Sequence, residues 1–548
     1  FKQKTAYEIG VRLVGSEMCI RDRLPSLCEN LRYRNFHPDV GVIGASHNLP
    51  IRMNYITPSD RRQTALFTSL EEMIHPDNPV RVIDALVDAV VSAHRARFTP
   101  PRTTDVGRPA YHPATLLKLY LYGYFNGISS TRKLEIETRR NLEVRWLLGA
   151  LTPDFWTIAA YRRTHGEDII FLTTQVRQFL AKRAYIAGHR MAIDGTKVKA
   201  NASRDDVVTL EQMQEQLRDC EAHVARYLEQ LQREDAREEH AGAQVETNRR
   251  DPDDPPGGGD AQATAVEKQL ADAHATIARL KEEIRSMQRT GRKYRSTTDP
   301  DARLQHTTRG NIVGYNVQVA VDAKHHMIAD STVVDAGADQ TVLEEVLASV
   351  VEEIGRVPTE VLADGGYYDP DSIERVESKY KTAVYVPIPE QKPSAVTFTF
   401  DPAREEYRCS EGRRLTLRAR NRKKGGTVMD QYQGIECGGC AIRSVCTTSP
   451  RGRIVYRYHN QEWRDAYKSR MAEPEAQAVR SRRKTIIEHT FGTIKYLMGS
   501  IPLLVRGRRG VSTEIALYTL AYNLRRLITL RTTPNLVQEI SKHGWIPV

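Results

Sequence analysis

Cysteine and uninterrupted apolar sequence are both scarce in this chain, and each scarcity excludes a class of protein. Seven cysteines among 548 residues are too few for a disulfide scaffold, which indicates a reducing compartment. No stretch approaches the roughly 18 consecutive apolar residues of a membrane-spanning helix. Hydrophobic residues at 40% and charged residues at 27% exclude collagen and wholesale disorder. We therefore expect a cytoplasmic globular chain of three or four domains, at about 150 residues per domain, with no membrane partner.

The net charge is positive and unevenly distributed. Lysine and arginine number 80 against 69 acidic residues, which gives a net charge of +11 and a pI near 9.2. Residues 204–290 hold 12 basic and 20 acidic residues, so this segment carries −8 and the rest of the chain carries +19. A basic excess of this size favours a polyanionic partner, and nucleic acid is the first candidate.

Residues 1–52 are set aside as a suspect non-native leader. Residues 1–23 show neither a helical nor a strand period and lack the layout of a signal peptide. They resemble the conceptual translation of a sequencing-library adapter. Met53 is the expected start, because regular patterning begins just after it, and Cys19 and Cys28 take no part in the functional interpretation.

Residues 60–185 are predicted to form a helical DNA-binding domain. Helix-starting signals occur at Ser69 and Asp154, and a Gly-containing turn at 126–127 separates two helices. The helix after this turn is basic, which allows a helix-turn-helix arrangement. In that arrangement the DNA contacts are Arg132, Lys133, Arg139 and Arg140. Plain packing of a helical bundle with solvated charges explains the pattern equally well.

Residues 186–203 and 291–389 are predicted to form the first parts of a mixed α/β core, and residues 461–530 its C-terminal helices. Short apolar strands alternate with helical patterns, and residues 314–322 alternate with a period of two. Residues 204–290 interrupt this core with two apolar repeats of 3,4 spacing around a Pro- and Gly-rich breaker. This pattern predicts an antiparallel coiled-coil hairpin insertion, either structural or self-associating.

Residues 390–460 form a second, Cys-rich insertion. Cys437 and Cys440 stand in C-x₂-C spacing, Cys446 follows them, and Cys409 supplies a distant fourth thiolate. Four thiolates satisfy tetrahedral zinc, so a structural zinc ion is one interpretation. A second C-x₂-C pair is absent from the sequence, and an iron–sulfur cluster or four unligated reduced thiols are the alternatives.

Three acidic residues occupy positions that suit catalysis. Asp194 ends the first strand, Asp364 ends a later strand, and Glu488 lies on a basic helix between Lys484 and Lys495. Taken singly, each has an ordinary explanation, since Asp-Gly is a common turn and a glutamate among basic residues is usually a solvated helix face. Carboxylate oxygens are also the ligands that Mg²⁺ prefers, and two such ions can promote cutting of a phosphodiester.

Together, the three acids and their surroundings resemble the DDE transposases of bacterial insertion sequences. The resemblance rests on Asp-Gly-Thr-Lys at 194–197, Ala-Asp-Gly-Gly-Tyr at 363–367 and a basic helix in which Lys495 follows Glu488 by seven residues. It extends over about residues 65–530 and fits the group with a helical amino-terminal domain and a Cys-containing insert.

The resemblance implies an RNase H-like catalytic core in which Asp194 and Asp364 lie on neighbouring strands and Glu488 comes from a helix packed against them. It implies that these acids hold two Mg²⁺ ions, while Lys484 and Lys495 contact DNA. The family often has tyrosine and arginine seven and four residues before the glutamate, where this chain has serine and Lys484, and lysine lacks the guanidinium fork.

The implied activity is that of a DNA transposase of the bacterial cytoplasm, associated with the nucleoid when bound to DNA. It binds the terminal inverted repeats of its element, cleaves them and joins the 3′ ends to target DNA by transesterification, as a homodimer in the synaptic complex. No ATP-binding loop is visible in the sequence. A catalytically inactive DNA-binding remnant or regulator, and an RNase H-like nuclease without strand transfer, are the alternatives.

Overall fold

The computed structural model describes residues 55–56, 60–62, 69–99, 109–242, 259–307, 310–335, 339–390, 396–424, 427–498 and 503–545. All of them belong to a unit that spans 54–548, and the leader interpretation for 1–52 lies outside the described residues. Helices and sheets alternate along the chain, which confirms the predicted mixed α/β class. Within the described ranges, every helix is too short or too polar to cross a membrane.

The amino-terminal region is mainly helical. Its elements are β1 (Tyr55–Ile56), α1 (Val80–Ala93), α2 (Arg95–Phe98), β2 (Ala110–Tyr111), α3 (Pro113–Phe125), α4 (Thr131–Arg140), α5 (Leu142–Leu147), α6 (Phe155–Thr164) and α7 (Gly166–Lys182). Pro113 opens α3, where a helix needs no N–H donor, and Gly127 makes the turn before α4 with a φ of 72°. Asp154 caps α6 by accepting the Thr157 backbone N–H at 2.7 Å.

The remaining elements continue the chain from residue 190 to residue 541. They are β3 (Arg190–Lys199), β4 (Val207–Thr209), α8 (Leu210–Gly242), α9 (Gly259–Thr290), β5 (Tyr294–Ser296), β6 (Arg303–Thr307), β7 (Gly310–Asp322), β8 (Ile328–Val334), α10 (Leu343–Ile354), β9 (Glu360–Leu362), α11 (Pro370–Tyr380), β10 (Ala383–Tyr385), β11 (Phe398–Asp401), β12 (Glu406–Cys409), β13 (Arg414–Lys424), β14 (Thr427–Gly434), α12 (Arg443–Cys446), β15 (Ile454–Tyr458), α13 (Gln461–Ala472), α14 (Pro474–Met498), α15 (Arg508–Leu530) and α16 (Thr533–Ser541).

A six-stranded mixed sheet organises the α/β part. Its order is β10-β9-β3-β7, and β7 also pairs with β8 and β6. Strands β3, β9 and β10 are parallel, whereas β7 is antiparallel to β3 and to β8. Because side chains alternate along a strand, Ile193 of β3 enters the core that contains α10, while Ala192 enters the core that contains α14. Strand β7 is buried along most of its length, including the polar side chains of Asn316 and Gln318.

Helix α15 joins the amino-terminal helices to the sheet. It is buried along most of its length and packs against α3, α7 and β8. Tyr124 of α3 donates its hydroxyl to the Glu514 carboxylate at 3.2 Å, and Asn523 donates its side-chain amide to the Ile328 carbonyl at 2.9 Å. Apolar residues of both regions belong to one continuous buried cluster. The helical region therefore shares a hydrophobic core with the sheet and with a helix near the C-terminus.

Two segments form small cores of their own. Helices α8 and α9 pack against each other through Met213, Leu280, Ile284 and Met287, and β4 pairs with β5 at their base. Residues 243–258, which include most of the Pro- and Gly-rich breaker, lie outside the described residues. Strands β11 to β15 form an antiparallel sheet in sequence order, a regular structure that the Cys-rich composition did not predict.

Candidate active site

The register of two neighbouring strands brings Asp194 and Asp364 side by side. Strands β3 and β9 are parallel partners in which Ala192 lies opposite Leu362. Each aspartate follows its paired residue by two positions, so both side chains point toward the same face of the sheet. The prediction that Asp194 ends its strand was wrong, because β3 continues to Lys199 and Asp194 pairs with Val319 of β7. Asp364 does follow the end of its strand. Ala192 and Leu362 both belong to the core beneath α14. The two carboxylates therefore lie side by side on the face next to α14, with Asp194 inside β3 and Asp364 just beyond the end of β9.

Burial raises the pKa of the Asp194 carboxyl, and the nearby Asp364 carboxylate raises it further. The Arg483 guanidinium opposes both effects. Arg483 Nη1 lies 2.8 Å from Asp194 Oδ2, and about one fifth of each side chain is exposed. A half-buried carboxylate beside a second one is a place where a bound cation is favoured, because it relieves the repulsion between two like charges.

Arg483 is a site residue that the sequence interpretation missed. The sequence predicted Lys484 as the basic site residue here, but Lys484 is exposed and Arg483 is the basic residue of α14 that reaches Asp194. Helical spacing held a signal, because Arg483 precedes the buried pair Ile486 and Ile487 by three and four residues and so shares their face.

A network of polar side chains fixes the turn that carries Asp364. Asp364 Oδ1 accepts the Gly366 backbone N–H at 2.9 Å and so caps the 3₁₀ turn Gly365–Tyr367. Tyr367 is buried, its hydroxyl donates to Gln318 Oε1, and Gln318 Nε2 donates to Asp339 Oδ1 at 2.8 Å. Burial raises the pKa of the Tyr367 hydroxyl, so it remains a donor at neutral pH.

Two further donors lie within hydrogen-bond distance of Asp339 Oδ1. Asn316 Nδ2 lies 2.8 Å from Asp339 Oδ1, and Lys197 Nζ lies 3.2 Å from it. Gly195 leaves the space for this network, since a Cβ there would lie 2.6 Å from Gln318 Nε2. These residues were not predicted as site residues, although polar side chains within the apolar strand at 314–322 were the available signal.

Glu488 is not brought to the two aspartates. Helix α14 packs on the sheet through Ile486, Ile487 and Ile494, whereas Glu488 lies on the exposed side with Lys484 and Lys495. Among the described residues, no three histidine, cysteine, aspartate or glutamate side chains are arranged to hold a metal ion. The structure thus places two of the three predicted carboxylates together and leaves the third on a solvated helix face.

The four predicted zinc ligands line one small cavity. Cys409 ends β12, Cys437 and Cys440 lie in the loop after β14, and Cys446 ends α12. All four are free thiols. Burial raises the pKa of the Cys446 thiol, and the other three cysteines are close enough to raise it further.

Two features shape the loop that holds the C-x₂-C pair. Arg413 donates to the Glu436 carbonyl at 2.7 Å and to the Gly439 carbonyl at 3.1 Å. Gly434 makes room for the first cysteine, because a Cβ there would lie 2.4 Å from Cys437 Sγ. The Arg413 side chain thus ties the loop to the start of β13.

The predicted DNA contacts of the amino-terminal region lie on the exposed face of α4. Arg132 and Lys133 are exposed near its start. Arg139 and Arg140 are exposed near its end, where each pairs with a glutamate of the same helix at 2.7 and 2.5 Å. The arginine side chains are 65% and 70% exposed, so both guanidinium groups can reach a phosphate, whereas the glutamate side chains they pair with are only 18% and 10% exposed.

Two segments of the chain match known protein families. Residues 68–164 match a family described as Transposase domain (DUF772), and residues 408–528 match one described as Transposase DDE domain. No curated protein matches the chain. One solved structure, a cryo-EM structure of the piggyBac transposase synaptic complex with hairpin DNA, shares 9% sequence identity with it. That alignment covers 84% of this chain and 79% of the other, with a TM-score of 0.28, too low to inform the interpretation of the site.

Proposed function

We propose that this chain, a DDE transposase by its two family matches, binds the ends of an insertion sequence, cleaves them and joins the freed 3′ ends to target DNA. The observation that carries the proposal is that Asp194, inside β3, lies beside Asp364, which follows the parallel neighbour β9. Two neighbouring carboxylates on one face of the sheet, beside a basic helix, suit a reaction on the phosphate backbone of DNA.

An RNase H-like core is part of the proposal. The strand order β8-β7-β3-β9-β10, in which only β7 runs against its neighbours, supports it, as does the position of α14 against the face that bears the aspartates. Asp194 lies on β3, the first strand of the sheet in chain order, and Asp364 follows β9, the fifth.

The two neighbouring aspartates supply part of a site for Mg²⁺. Asp194 and Asp364 would hold it through hard carboxylate oxygens, and Glu488 is proposed as the third carboxylate. Bound in pairs, such ions activate a water and stabilise the leaving oxygen of a phosphodiester. Because Glu488 lies on the exposed side of α14, its joining the aspartates requires α14 to move relative to the sheet.

The protein's own groups have separable roles in this proposal. Arg483 neutralises Asp194 in the free protein, and the Tyr367 network holds Asp364 in register with it. Lys484 and Lys495, exposed on the outer side of α14, are proposed to contact DNA phosphates, as are the basic residues of α4. A homodimer is proposed for the synaptic complex, since two DNA ends must be held together.

Cleavage of an end-bearing duplex tests the proposal. Asp194→Asn, Asp364→Asn and Glu488→Gln should each lower the cleavage rate by orders of magnitude at fixed salt and Mg²⁺ while leaving DNA binding intact, because groups that act as a unit fail together. The matched control is Glu475→Gln, which removes the other glutamate of α14 from an exposed position.

The outcomes separate the competing functions. Binding without cleavage by the wild type would identify a DNA-binding remnant, and cleavage without joining would identify a nuclease. Normal cleavage by Glu488→Gln, with loss in both aspartate variants, would show that Glu488 is not a ligand. The full chain is the right material, because the amino-terminal helices share their core with α15 and a 60–185 fragment would expose that core.

We also propose that the four cysteines hold one structural zinc ion. The donor type suits zinc, because four thiols from three separate elements line a single cavity and zinc favours four thiolates. No three of these described thiols are arranged to hold an ion, so binding requires them to move closer together. Such an ion would cross-link β12, the loop after β14 and α12.

A further inference from the structure

An exposed pair of aromatic side chains begins α6. Trp156 is 67% exposed and Phe155 is 40% exposed. Of the other three tryptophans, Trp146 is 2% exposed and two are partly buried. Burying an indole gives one of the largest hydrophobic stabilisations available to a side chain, and an exposed indole lacks it. The exposure of Trp156 therefore points to a partner that covers it.

The aromatic pair lies beside the basic face of α4. The Arg132 guanidinium lies 5.4 Å over the Phe155 ring, and the Phe155 backbone N–H donates to the Glu135 carboxylate at 3.2 Å. Ile136, one turn after Arg132, is 50% exposed within the basic stripe. The helix carries four basic and two acidic residues. The surface is therefore both cationic and apolar.

We propose that α4 and the start of α6 form one DNA-binding surface, in which Trp156 stacks on an unpaired base while α4 contacts the phosphates. The inference rests on the proposed function and extends it to a particular DNA structure. An aromatic face within a basic surface is the combination that binds unstacked bases, because every base offers a π face and every nucleotide a negative charge. A base inside an intact duplex is already stacked, so the occupant is a base outside the helix.

Two alternatives for this surface are less favourable. The amino-terminal end of α6 does not offer a free phosphate site, because the Asp154 carboxylate already accepts the Thr157 N–H at 2.7 Å. A second copy of the chain would bring its own basic α4 against this one if the contact were symmetric, and the like charges would repel.

The test measures binding of the full chain to two fluorescent probes by anisotropy. One probe is a 20-base-pair duplex of arbitrary sequence, and the other is the same duplex with unpaired bases in a central bulge. Trp156→Ala should weaken binding to the bulged probe by about 5- to 150-fold, the effect of losing one stacked base. Binding to the intact duplex should change less than about 2-fold, and its salt slope should stay the same.

Matched variants separate stacking from charge. Trp156→Phe should retain most of the affinity for the bulged probe, because phenylalanine still stacks. Arg132→Gln should weaken binding to both probes and reduce the salt slope by about 1. Met73→Ala removes an apolar side chain that lies outside this surface and is 47% exposed. It should change neither the affinity for the two probes nor the salt slope.

Each remaining outcome decides against the inference. Wild-type affinity of Trp156→Ala for the bulged probe would overturn it while leaving the proposed function intact. A change of oligomeric state in Trp156→Ala, measured by sedimentation, would overturn it in favour of a contact between copies. Failure of the wild type to bind either probe at low salt would overturn the proposed function as well.

Discussion

The ion pair between Arg483 and Asp194 makes a quantitative prediction about the metal-free protein. Arg483→Gln removes the guanidinium and leaves the Asp194 carboxylate beside Asp364 on the face next to α14. The carboxylate then has no opposite charge to offset its desolvation. We expect Arg483→Gln to be less stable than the wild type at neutral pH. Its loss of stability should exceed that of a variant at a neighbouring arginine.

The size of the loss follows from the burial of the pair. Removing one partner of a fully buried pair costs about 3–5 kcal/mol, whereas an exposed pair contributes about 0–1 kcal/mol. Arg483 and Asp194 are each about one fifth exposed and 2.8 Å apart, which places the pair between these limits. The expected loss is about 2 kcal/mol in the free energy of unfolding.

The effect should depend on pH. Burial already raises the pKa of Asp194, and loss of Arg483 raises it further. A carboxyl whose pKa is higher in the folded than in the unfolded protein favours folding when protonated, and that contribution is lost as pH rises through the folded pKa. Arg483→Gln should therefore cost little near pH 4 and its full amount near pH 7.5.

A double-mutant cycle in urea, with EDTA present, measures the pair alone. It compares the wild type, Arg483→Gln, Asp194→Asn and the double variant, with the exposed Arg482→Gln as control. The coupling energy should be about 1–2 kcal/mol at pH 7.5 and close to zero at pH 4. Coupling below about 0.3 kcal/mol at pH 7.5, or equal coupling at both pH values, would refute the reasoning.

Four further predictions follow from separate parts of the structure. Gly314→Ala should destabilise by about 1–3 kcal/mol in urea unfolding, because its Cβ would lie 2.3 Å from the Val198 carbonyl oxygen. Gly492→Ala, a helical glycine with open space around it, should stabilise by about 0.5–1 kcal/mol. Metal analysis should find about one zinc per chain, lost in Cys440→Ser; zero zinc with unchanged melting of that variant would contradict the zinc proposal. Replacing residues 210–290 by a short Gly/Ser linker should leave a folded core by circular dichroism, since these helices have their own small core; global unfolding would contradict this.

Local patterns in the sequence predicted the elements that short-range interactions control. The two-residue alternation at 314–322 predicted a strand, and the structure has β7 there; the two apolar repeats around 251–260 predicted two helices, and α8 and α9 are present. The resemblance to DDE transposases was confirmed by the two family matches. The C-x₂-C motif and the Asp-Gly pairs could also be recognised in the sequence, because each involves only a few neighbouring residues.

These local patterns could not predict contacts between residues far apart in the sequence. Arg483 and Asp194 are separated by 289 residues, and only the packing of α14 on β3 shows that Arg483, rather than Lys484, faces the aspartate. Periodicity gave the apolar and polar faces of α14 but not the strands against which the apolar face packs, and Glu488 is exposed on the opposite side.

By itself, the sequence determined which residue types are present, which segments form helices and strands, and which family the chain resembles, because these depend on composition and on spacing within a few turns. Tertiary structure alone decided that α15 unites the amino-terminal helices with the sheet, through contacts such as Tyr124 with Glu514. It also decided that β3 and β9 pair in the register that brings Asp194 to Asp364. Strand register and helix packing are set by the burial of whole apolar faces against partners far along the chain, and no local pattern carries that information.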